Sequence, residues 1–404
     1  MPGYGLLGRS LSHSFSPRIH KMLGEYPYSL IELEENELAP FMRDNTLGGF
    51  NVTIPYKQAV MPFLSGMSDI ARAIGSVNTV IRRPDGSLWG DNTDAYGFET
   101  LLGDASPFMG QKALVLGSGG SSKTVQAVLK ASGIHPVVIS RRGEDHYQNL
   151  SRHQDAALIV NTTPLGMYPN NGEAPLSLSR FPGCRLVIDL IYNPFRTALL
   201  LEADSLGFEG RGGLLMLAAQ AQRASELWGL IPPGEDKSAA IAAALSKSMR
   251  NIALIGMPGC GKSSVALALR RLTGRRILDT DEMVEKNAGR LIPDIIAAQG
   301  IDAFRLMETE ALREASAQSG CILATGGGIV TQARNLPLLR QNSRVVWLQR
   351  DLDLLPIAGR PISQGRGVEA LYLEREPLYE SWCDYSCHNT DIELTARQIA
   401  EEML

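Results

Sequence analysis

The sequence predicts an α/β protein that is built from several domains. The chain of 404 residues is longer than a single hydrophobic core usually supports, so we expect two or three domains. Short runs of Val, Ile and Leu alternate with helix-like stretches in its middle part, as is typical of parallel strands covered on both faces. A glycine-rich turn, GMPGCGKS at residues 256–263, lies between an apolar run and another helix-like stretch.

Composition excludes several classes of protein. Charged residues make up 20% of the chain and apolar residues 44%, which are usual values for a globular enzyme. The formal net charge is −4 and no basic run is present, so we expect no nucleic-acid partner. No apolar stretch reaches the length of a membrane span, and the N-terminus lacks a signal-peptide pattern. We therefore expect no membrane association and a cytoplasmic location, whereas the sequence leaves the oligomeric state open.

Polar residues follow several predicted strands in the first hundred residues. Pro17 fits the first turn of a helix with Ser16 as its N-cap. Polar groups flanked by glycine or proline at several strand ends are how an α/β domain assembles a small polar pocket. The polar stretches lie at residues 9–20, 49–57, 74–80 and 90–97.

A dinucleotide-binding turn is predicted after the apolar run at residues 113–116. Its glycines would let a pyrophosphate approach the backbone N–H groups at a helix N-terminus, although Ser122 replaces the third glycine of the usual fingerprint. The predicted cofactor contacts are Gly117, Ser118, Gly119, Gly120 and Ser121, followed by Ser140, Arg141 and Arg142 after the next strand.

Arg141 and Arg142 decide which dinucleotide is favoured. They stand where an NAD enzyme usually carries an acidic residue for the ribose, roughly twenty residues after the turn. Guanidinium groups suit the additional 2′-phosphate, so we predict NADP(H). Glu144 and Asp145 follow closely, and either could instead meet a ribose hydroxyl, so NAD remains the alternative.

The polar motifs, in their order, resemble the shikimate dehydrogenase family up to about residue 245. The resemblance implies a shikimate-binding α/β domain at residues 1–103, completed by returning helices at about 213–248, and an NADP-binding Rossmann domain at residues 104–212. It implies that Lys57 and Asp94 form the catalytic pair. The implied substrate contacts are Ser14 and Ser16 at the carboxylate, Thr53, Asn78, Asp94 and Gln220 at the ring hydroxyls, and Tyr192 close by.

The turn at residues 256–263 has the spacing and the strand–loop–helix context of a phosphate-binding loop. Lys262 would reach the terminal phosphates of a nucleotide, and the Ser263 hydroxyl can bind magnesium. One aspartate of the acidic cluster at residues 279–282 could approach the hydrated metal, and helix capping by Asp279 or Thr280 is the alternative. The predicted nucleotide contacts are Met257, Gly259, Cys260, Gly261, Lys262, Ser263 and Ser264.

Further motifs indicate which molecule accepts the phosphoryl group. FRLME, ATGGGIV, RPI and LEREPLY follow at residues 304–308, 324–330, 360–362 and 373–379. Together with the loop they resemble shikimate kinase over about residues 250–404. The resemblance implies a P-loop, nucleoside-monophosphate-kinase-like α/β domain that uses ATP and Mg²⁺.

The kinase resemblance also implies a role for each motif. Arg305 and Arg375 would clamp the shikimate carboxylate, since a guanidinium fork matches a carboxylate in two bonds. Asp281 would position the 3-hydroxyl for attack. The implied remaining contacts are Gly327 and Gly328 at shikimate, Lys262 and the lid residue Arg360 at the transferred phosphoryl group, and Ser263 and Asp279 at Mg²⁺.

The two resemblances imply a bifunctional enzyme. Its N-terminal part would reduce 3-dehydroshikimate with NADPH, and its C-terminal part would phosphorylate the resulting shikimate to shikimate 3-phosphate. Two alternatives stay open: an NAD-using quinate-type dehydrogenase beside a kinase for another small hydroxy acid, or a chain in which one half is a non-catalytic ligand sensor or scaffold. The lid segment between Leu348 and Arg360 is short for the kinase family, which implies altered closure or turnover.

Overall fold

The structure is a computed structural model that describes residues 2–12, 14–356 and 367–403. Its residues form two compact units. The first comprises the described residues up to Pro164, together with Pro175–Tyr192 and Glu202–Ala244. The second comprises Leu165–Ala174, Asn193–Leu201 and the described residues from Leu245 onward. The predicted lid residue Arg360 lies outside the described residues.

The first unit begins with a six-stranded mixed sheet of order β2-β1-β3-β5-β6-β4. Strand β5 runs antiparallel to both β3 and β6, while β1 lies parallel to β2 and β3. Its core includes the fully buried rings of Phe50 and Tyr56. The strands are β1 Tyr4–Gly8, β2 Tyr28–Glu32, β3 Gly49–Val52, β4 Gly66–Met67, β5 Thr79–Arg82 and β6 Leu88–Asp91; the helices are α1 Ser16–Leu23, α2 Leu38–Asp44, α3 Asp69–Ile74 and α4 Thr93–Leu102.

A five-stranded parallel sheet of order β11-β10-β9-β7-β8 follows in the same unit. The apolar runs that predict parallel strands, at residues 113–116, 137–139, 158–160 and 186–188, lie within its first four strands in chain order, and most of their side chains are buried. Helix α7 returns to pack against α4, where a Cβ on Gly97 would lie 2.7 Å from the Met216 carbonyl oxygen. The elements of this stretch of the chain are β7 Lys112–Leu116, α5 Gly120–Ala131, β8 His135–Ile139, β9 Leu158–Asn161, β10 Leu186–Asp189, α6 Ala198–Ser205, β11 Glu209–Gly212, α7 Leu214–Leu227 and α8 Ser238–Met249; the division into units falls within α6 and within α8.

The second unit contains a five-stranded parallel sheet of order β13-β14-β12-β15-β16. Strand β12 lies at its centre and leads into the predicted phosphate-binding loop. Helix α11 is interrupted at Gly300, whose φ is +83°. The elements are β12 Asn251–Ile255, α9 Lys262–Thr273, β13 Ile277–Asp279, α10 Thr280–Ala288, α11 Ile292–Ala317, β14 Ile322–Ala324, α12 Asn335–Asn342, β15 Ser343–Gln349, α13 Val368–Trp382, β16 Tyr385–His388 and α14 Ile392–Met403.

Two further features concern the helices. None of the described helices combines the length and the apolar character needed to cross a bilayer.

Helix α1 begins at Ser16, so Phe15 rather than the predicted Ser16 is the N-cap residue. Pro17 still lies in the first turn, and the Ser14 hydroxyl accepts the N–H of Ser16 at 3.2 Å, which takes the place of a side-chain cap.

The contact between β3 and the end of α7 generates a stability prediction. A Cβ on Gly49 would lie 2.2 Å from Nε1 of Trp228, the atom that donates to the Val80 carbonyl oxygen at 3.0 Å. We expect Gly49→Ala to displace this indole and to destabilise the first unit by about 1 to 3 kcal/mol. Gly183→Ala is the control, because a Cβ there would meet nothing within 4 Å. Thermal unfolding should show a lower midpoint for Gly49→Ala only; equal midpoints would contradict the prediction.

Candidate active sites

The predicted catalytic pair of the first unit is in contact. The Lys57 ammonium donates to Oδ2 of Asp94 at 2.6 Å. The Lys57 side chain is 24% exposed and that of Asp94 only 9%, so the ammonium is the more accessible partner. Asp94 lies in the first turn of α4, where the helix dipole favours a carboxylate. The N–H of Val77 donates to the Lys57 carbonyl oxygen at 2.9 Å and ties the lysine segment to the chain before β5.

Asn78 and Gln220 lie together in the same unit. The Asn78 side-chain amide donates to Oε1 of Gln220 at 3.4 Å. Its Oδ1 accepts the backbone N–H of Thr93 at 2.7 Å, next to Asp94 at the start of α4. This bond fixes the orientation of the amide, so its NH₂ group faces Gln220. The segments before β5, at the start of α4 and within α7 therefore bring predicted substrate contacts together.

The predicted carboxylate site lies at the start of α1. The Ser14 hydroxyl donates to the Ser16 hydroxyl at 3.2 Å. Between them, the ring of Phe15 lies edge-on to that of Tyr192, with centroids 5.9 Å apart. Thr53 directly follows β3, and its N–H donates to the Leu7 carbonyl oxygen at 2.8 Å. Tyr192 therefore contacts the segment that carries the two serines through the ring of Phe15.

Sequence reasoning gave no role to three residues that connect these groups. The hydroxyl of the half-buried Tyr28 donates to Oδ1 of Asn51 at 2.9 Å, and the Asn51 amide donates to the Thr79 hydroxyl at 3.1 Å. Thr79 in turn donates to Oδ1 of Asn78 at 3.1 Å. Burial raises the pKa of Tyr28, and a hydrogen bond with the Ser16 side chain opposes the shift. A polar Asn within the otherwise apolar strand β3 was the signal that could have identified this chain of hydrogen bonds.

The predicted dinucleotide turn leaves room for a pyrophosphate. Helix α5 begins at Gly120, and Gly119 in its N-cap position offers no side-chain acceptor to the first N–H groups. A Cβ on either glycine would meet nothing within 4 Å, so the space above the turn is open. Gly117 has φ +105°, and a Cβ there would lie 2.9 Å from the Thr162 hydroxyl oxygen. These features fit a dinucleotide; the exposed members of the turn are Ser118, Gly119, Gly120 and Ser121.

The charged side chains of the loop after β8 differ in their exposure and in their bonding. Arg141, Arg142 and Glu144 are exposed. The Asp145 carboxylate is instead bonded to the imidazole of His153 at 2.7 Å. The Ser140 hydroxyl donates within the loop to the Arg142 carbonyl oxygen.

The phosphate-binding loop of the second unit has the same open helix start. Helix α9 begins at Lys262, and Gly261 in its N-cap position has φ +100° and no side-chain acceptor. The Lys262 ammonium donates to the carbonyl oxygens of Gly256 and Met257 at 2.9 and 3.0 Å. The predicted contacts Met257 and Cys260 have side chains buried in the hydrophobic core, which leaves only their backbone groups for phosphate. Gly259, Gly261, Lys262, Ser263 and Ser264 line the adjoining cavity.

The predicted magnesium ligands meet beside this loop. The Ser263 hydroxyl donates to Oδ2 of Asp279 at 3.0 Å. The other oxygen of Asp279 accepts the N–H groups of Asp281 and Glu282, so the carboxylate also caps α10. Hydroxyl and carboxylate oxygens suit Mg²⁺. Among the described residues no group of three or more His, Cys, Asp or Glu could hold a metal ion, so phosphate and water oxygens would have to complete the coordination.

A cavity of about 610 Å³ beside the loop contains the predicted shikimate contacts. The Arg305 guanidinium donates to Glu308 at 2.6 Å, and the Glu308 side chain is fully buried. Arg375 donates to the Gly327 carbonyl oxygen at 3.0 Å. A Cβ on Gly328 would lie 2.0 Å from Arg305, so the guanidinium occupies the space that this glycine leaves. Sequence reasoning missed Glu308, although its spacing of three residues from Arg305 places both on one helix face.

One carboxylate oxygen of Asp281 is available to accept a hydrogen bond. Its Oδ1 is buried and has no hydrogen-bond partner among the described residues. Burial raises the pKa of Asp281 to about 6, and the neighbouring charges of Glu308 and Asp279 add to the shift, whereas Lys262 and Arg305 oppose it. A buried acceptor in a cavity with two guanidinium groups fits a small hydroxy acid.

A second cavity of about 520 Å³ adjoins the helix that follows the phosphate loop. It is lined by Ser264, Arg350, Asn389 and Thr390, among others. The Asn389 amide donates to the Cys260 carbonyl oxygen at 2.7 Å, which ties the loop to the end of β16. This position fits the base and ribose of a nucleotide whose phosphates lie on the loop. No motif in the sequence pointed to Arg350 or Asn389.

Comparisons with known proteins find matches for both parts of the chain. The family model of the shikimate dehydrogenase substrate binding domain matches residues 6–80, and that of shikimate kinase matches residues 258–404. The NADP(+) shikimate dehydrogenase of Clostridium beijerinckii is 37% identical over 249 residues, which cover 56% of this chain and 92% of that protein.

Two solved structures extend this comparison. The Thermus thermophilus shikimate 5-dehydrogenase in complex with NADP(H) and shikimate is 30% identical with a TM-score of 0.53, and the match covers 60% of this chain and 99% of that one. The Corynebacterium glutamicum quinate dehydrogenase in complex with NAD is 26% identical with a TM-score of 0.53, covering 60% and 97%. The chain therefore belongs to the shikimate dehydrogenase family, and it carries a shikimate kinase domain as its C-terminal part.

Proposed function

We propose that this chain reduces 3-dehydroshikimate to shikimate with NADPH and then phosphorylates shikimate to shikimate 3-phosphate with MgATP. The observation that carries the proposal is that each unit presents the groups for one of these reactions. Lys57, Asp94, Asn78 and Gln220 converge in the first unit. In the second unit, Asp281 and two buried guanidinium groups share one cavity with the phosphate loop.

In the reduction, NADPH supplies the hydride. Hydride transfer turns the substrate carbonyl into an alkoxide, and Lys57 donates the proton that converts this alkoxide into a hydroxyl. Asp94 holds the ammonium in place and accepts a hydrogen bond from a neighbouring ring hydroxyl. Ser14 and Ser16 donate to the substrate carboxylate, and the oriented amide of Asn78 contacts ring hydroxyls together with Gln220 and Thr53.

In the phosphorylation, MgATP supplies the phosphoryl group. Arg305 and Arg375 bind the shikimate carboxylate and thereby direct the 3-hydroxyl to the unpartnered oxygen of Asp281. With its pKa raised towards the working pH, Asp281 is suited to accept that proton. Lys262 exchanges its contacts with loop carbonyls for phosphate oxygens, while Ser263 and Asp279 hold Mg²⁺ directly or through water.

The choice of substrates separates this proposal from its nearest alternative, a quinate dehydrogenase that uses NAD. We expect the purified chain to oxidise shikimate with NADP⁺ at a higher kcat/KM than with NAD⁺, and to prefer shikimate over quinate. Steady-state rates with the four combinations measure both preferences. A higher kcat/KM for quinate with NAD⁺ would replace the proposed dehydrogenase activity by the alternative.

Lys57→Ala tests the catalytic pair of the dehydrogenase. Loss of the proton donor should lower kcat by about 10² to 10⁴-fold, with a modest change in the KM for shikimate. Lys112→Ala is a matched control, because Lys112 also pairs with an aspartate, Asp155, at 2.7 Å. Wild-type turnover in Lys57→Ala, measured as shikimate-dependent NADP⁺ reduction, would remove this lysine from the mechanism.

Asp281→Asn tests the kinase site in the same way. An amide cannot accept the proton of the 3-hydroxyl, so shikimate-dependent ADP release should fall by about 10² to 10⁴-fold. NADP⁺ reduction by the same preparation should be unchanged. Asp302→Asn, at an exposed position of the same unit, is the control and should retain both activities. Full kinase turnover in Asp281→Asn would show that another group accepts the proton.

A further inference from the structure

The loop after β8 carries two acidic residues directly behind its two arginines. Strand β8 is the neighbour of β7, whose following turn begins α5, so this loop and the dinucleotide turn leave the same edge of the sheet. In NAD enzymes an acid at the end of this strand, where this chain has Arg141 and Arg142, binds the ribose hydroxyls. A carboxylate of Glu144 or Asp145 that reached the same place would repel a 2′-phosphate and counteract the arginines.

The structure gives the two acids different surroundings. Glu144 is exposed, whereas the Asp145 side chain is 27% exposed and bonds through Oδ1 to Nε2 of His153 at 2.7 Å. The His153 side chain is only 10% exposed. Because an ionised carboxylate only accepts hydrogen bonds, Nε2 of His153 carries the proton. The imidazole thus engages one oxygen of a carboxylate in the loop that follows β8.

Backbone bonds support the same arrangement. The N–H of Ser140 donates to the Asp145 carbonyl oxygen at 3.3 Å, and Asn149 bridges the loop by donating to the Glu144 carbonyl oxygen at 2.8 Å. The N–H of His146 donates to Oδ1 of Asn149 at 2.8 Å. These bonds fix the path of the backbone on both sides of Asp145. A substitution of His153 would therefore mainly remove the hydrogen bond to the Asp145 carboxylate, and the loop would keep its path.

We propose that His153 determines cofactor specificity by binding the Asp145 carboxylate, which leaves Arg141 and Arg142 to receive a 2′-phosphate. This inference rests on the proposed use of NADP by the first unit. His153 does not contact the cofactor in this account; it acts through Asp145. A released carboxylate would repel the 2′-phosphate and could accept the hydroxyls of an unphosphorylated ribose, so the preference would move towards NAD.

The test compares His153→Leu with His153→Gln in the full chain. Calorimetry with 2′,5′-ADP and 5′-AMP measures binding of the adenosine halves of NADP and of NAD without catalysis. The ratio of kcat/KM with NADP⁺ to kcat/KM with NAD⁺ measures the cofactor selectivity of the enzyme. His153→Leu should lower the preference for the 2′-phosphate by about tenfold, the size expected for a hydrogen bond to a charged group. His153→Gln retains an N–H donor and should stay near the wild type. An unchanged preference in His153→Leu would overturn the inference.

A double variant separates the released charge from a damaged loop. His153→Leu combined with Asp145→Asn removes the carboxylate, so binding of 2′,5′-ADP should return towards the wild-type value. A double variant that binds it as weakly as His153→Leu would contradict the proposal and indicate that His153 only maintains the fold of the loop. Failure of the wild type to oxidise shikimate with NADP⁺ would instead refute the proposed function, whatever the variants do.

Discussion

Both nucleotide sites depend on one constraint, the need of a helix N-terminus for hydrogen-bond acceptors. The first N–H groups of a helix have no partners within it. In α5 and in α9 the residue before the helix is a glycine, Gly119 or Gly261, which offers no side-chain acceptor. Each helix follows an interior strand of a parallel sheet, so these N–H groups lie at the edge of the sheet where the strands end. A bound phosphate satisfies them, and the helix dipole favours its charge.

The remaining groups of each site are arranged around that edge by hydrogen bonds among themselves. In the second unit Glu308 fixes Arg305, and Gly328 leaves the space that the guanidinium fills. In the first unit a chain of hydrogen bonds from Tyr28 through Asn51 and Thr79 orients Asn78. Such residues need not touch a substrate, but they determine where the groups that touch it can lie.

The sequence predicted the parallel strands and the two glycine turns before α5 and α9, because both kinds of element have local signals: continuous apolar runs and glycines at fixed spacings. It could not reveal contacts between distant segments. The sequence left open whether Glu144 or Asp145 could meet a ribose hydroxyl, and only the folded loop shows that the Asp145 carboxylate is bonded to His153. Arg350 and Asn389 lie in no recognisable motif and become candidates only through the cavity that they line. The N-cap of α1 differed for a local reason, since Ser14 accepts the N–H that a cap would otherwise bind.

The central claim is that one chain carries out two consecutive reactions on the same carbon skeleton. The most direct measurement supplies the purified chain with 3-dehydroshikimate, NADPH and MgATP and follows NADPH, ADP and the organic products together. The account predicts that one NADPH is oxidised and one ADP released for each molecule of shikimate 3-phosphate formed. Accumulation of shikimate without ADP release, or ADP release without oxidation of NADPH, would contradict it.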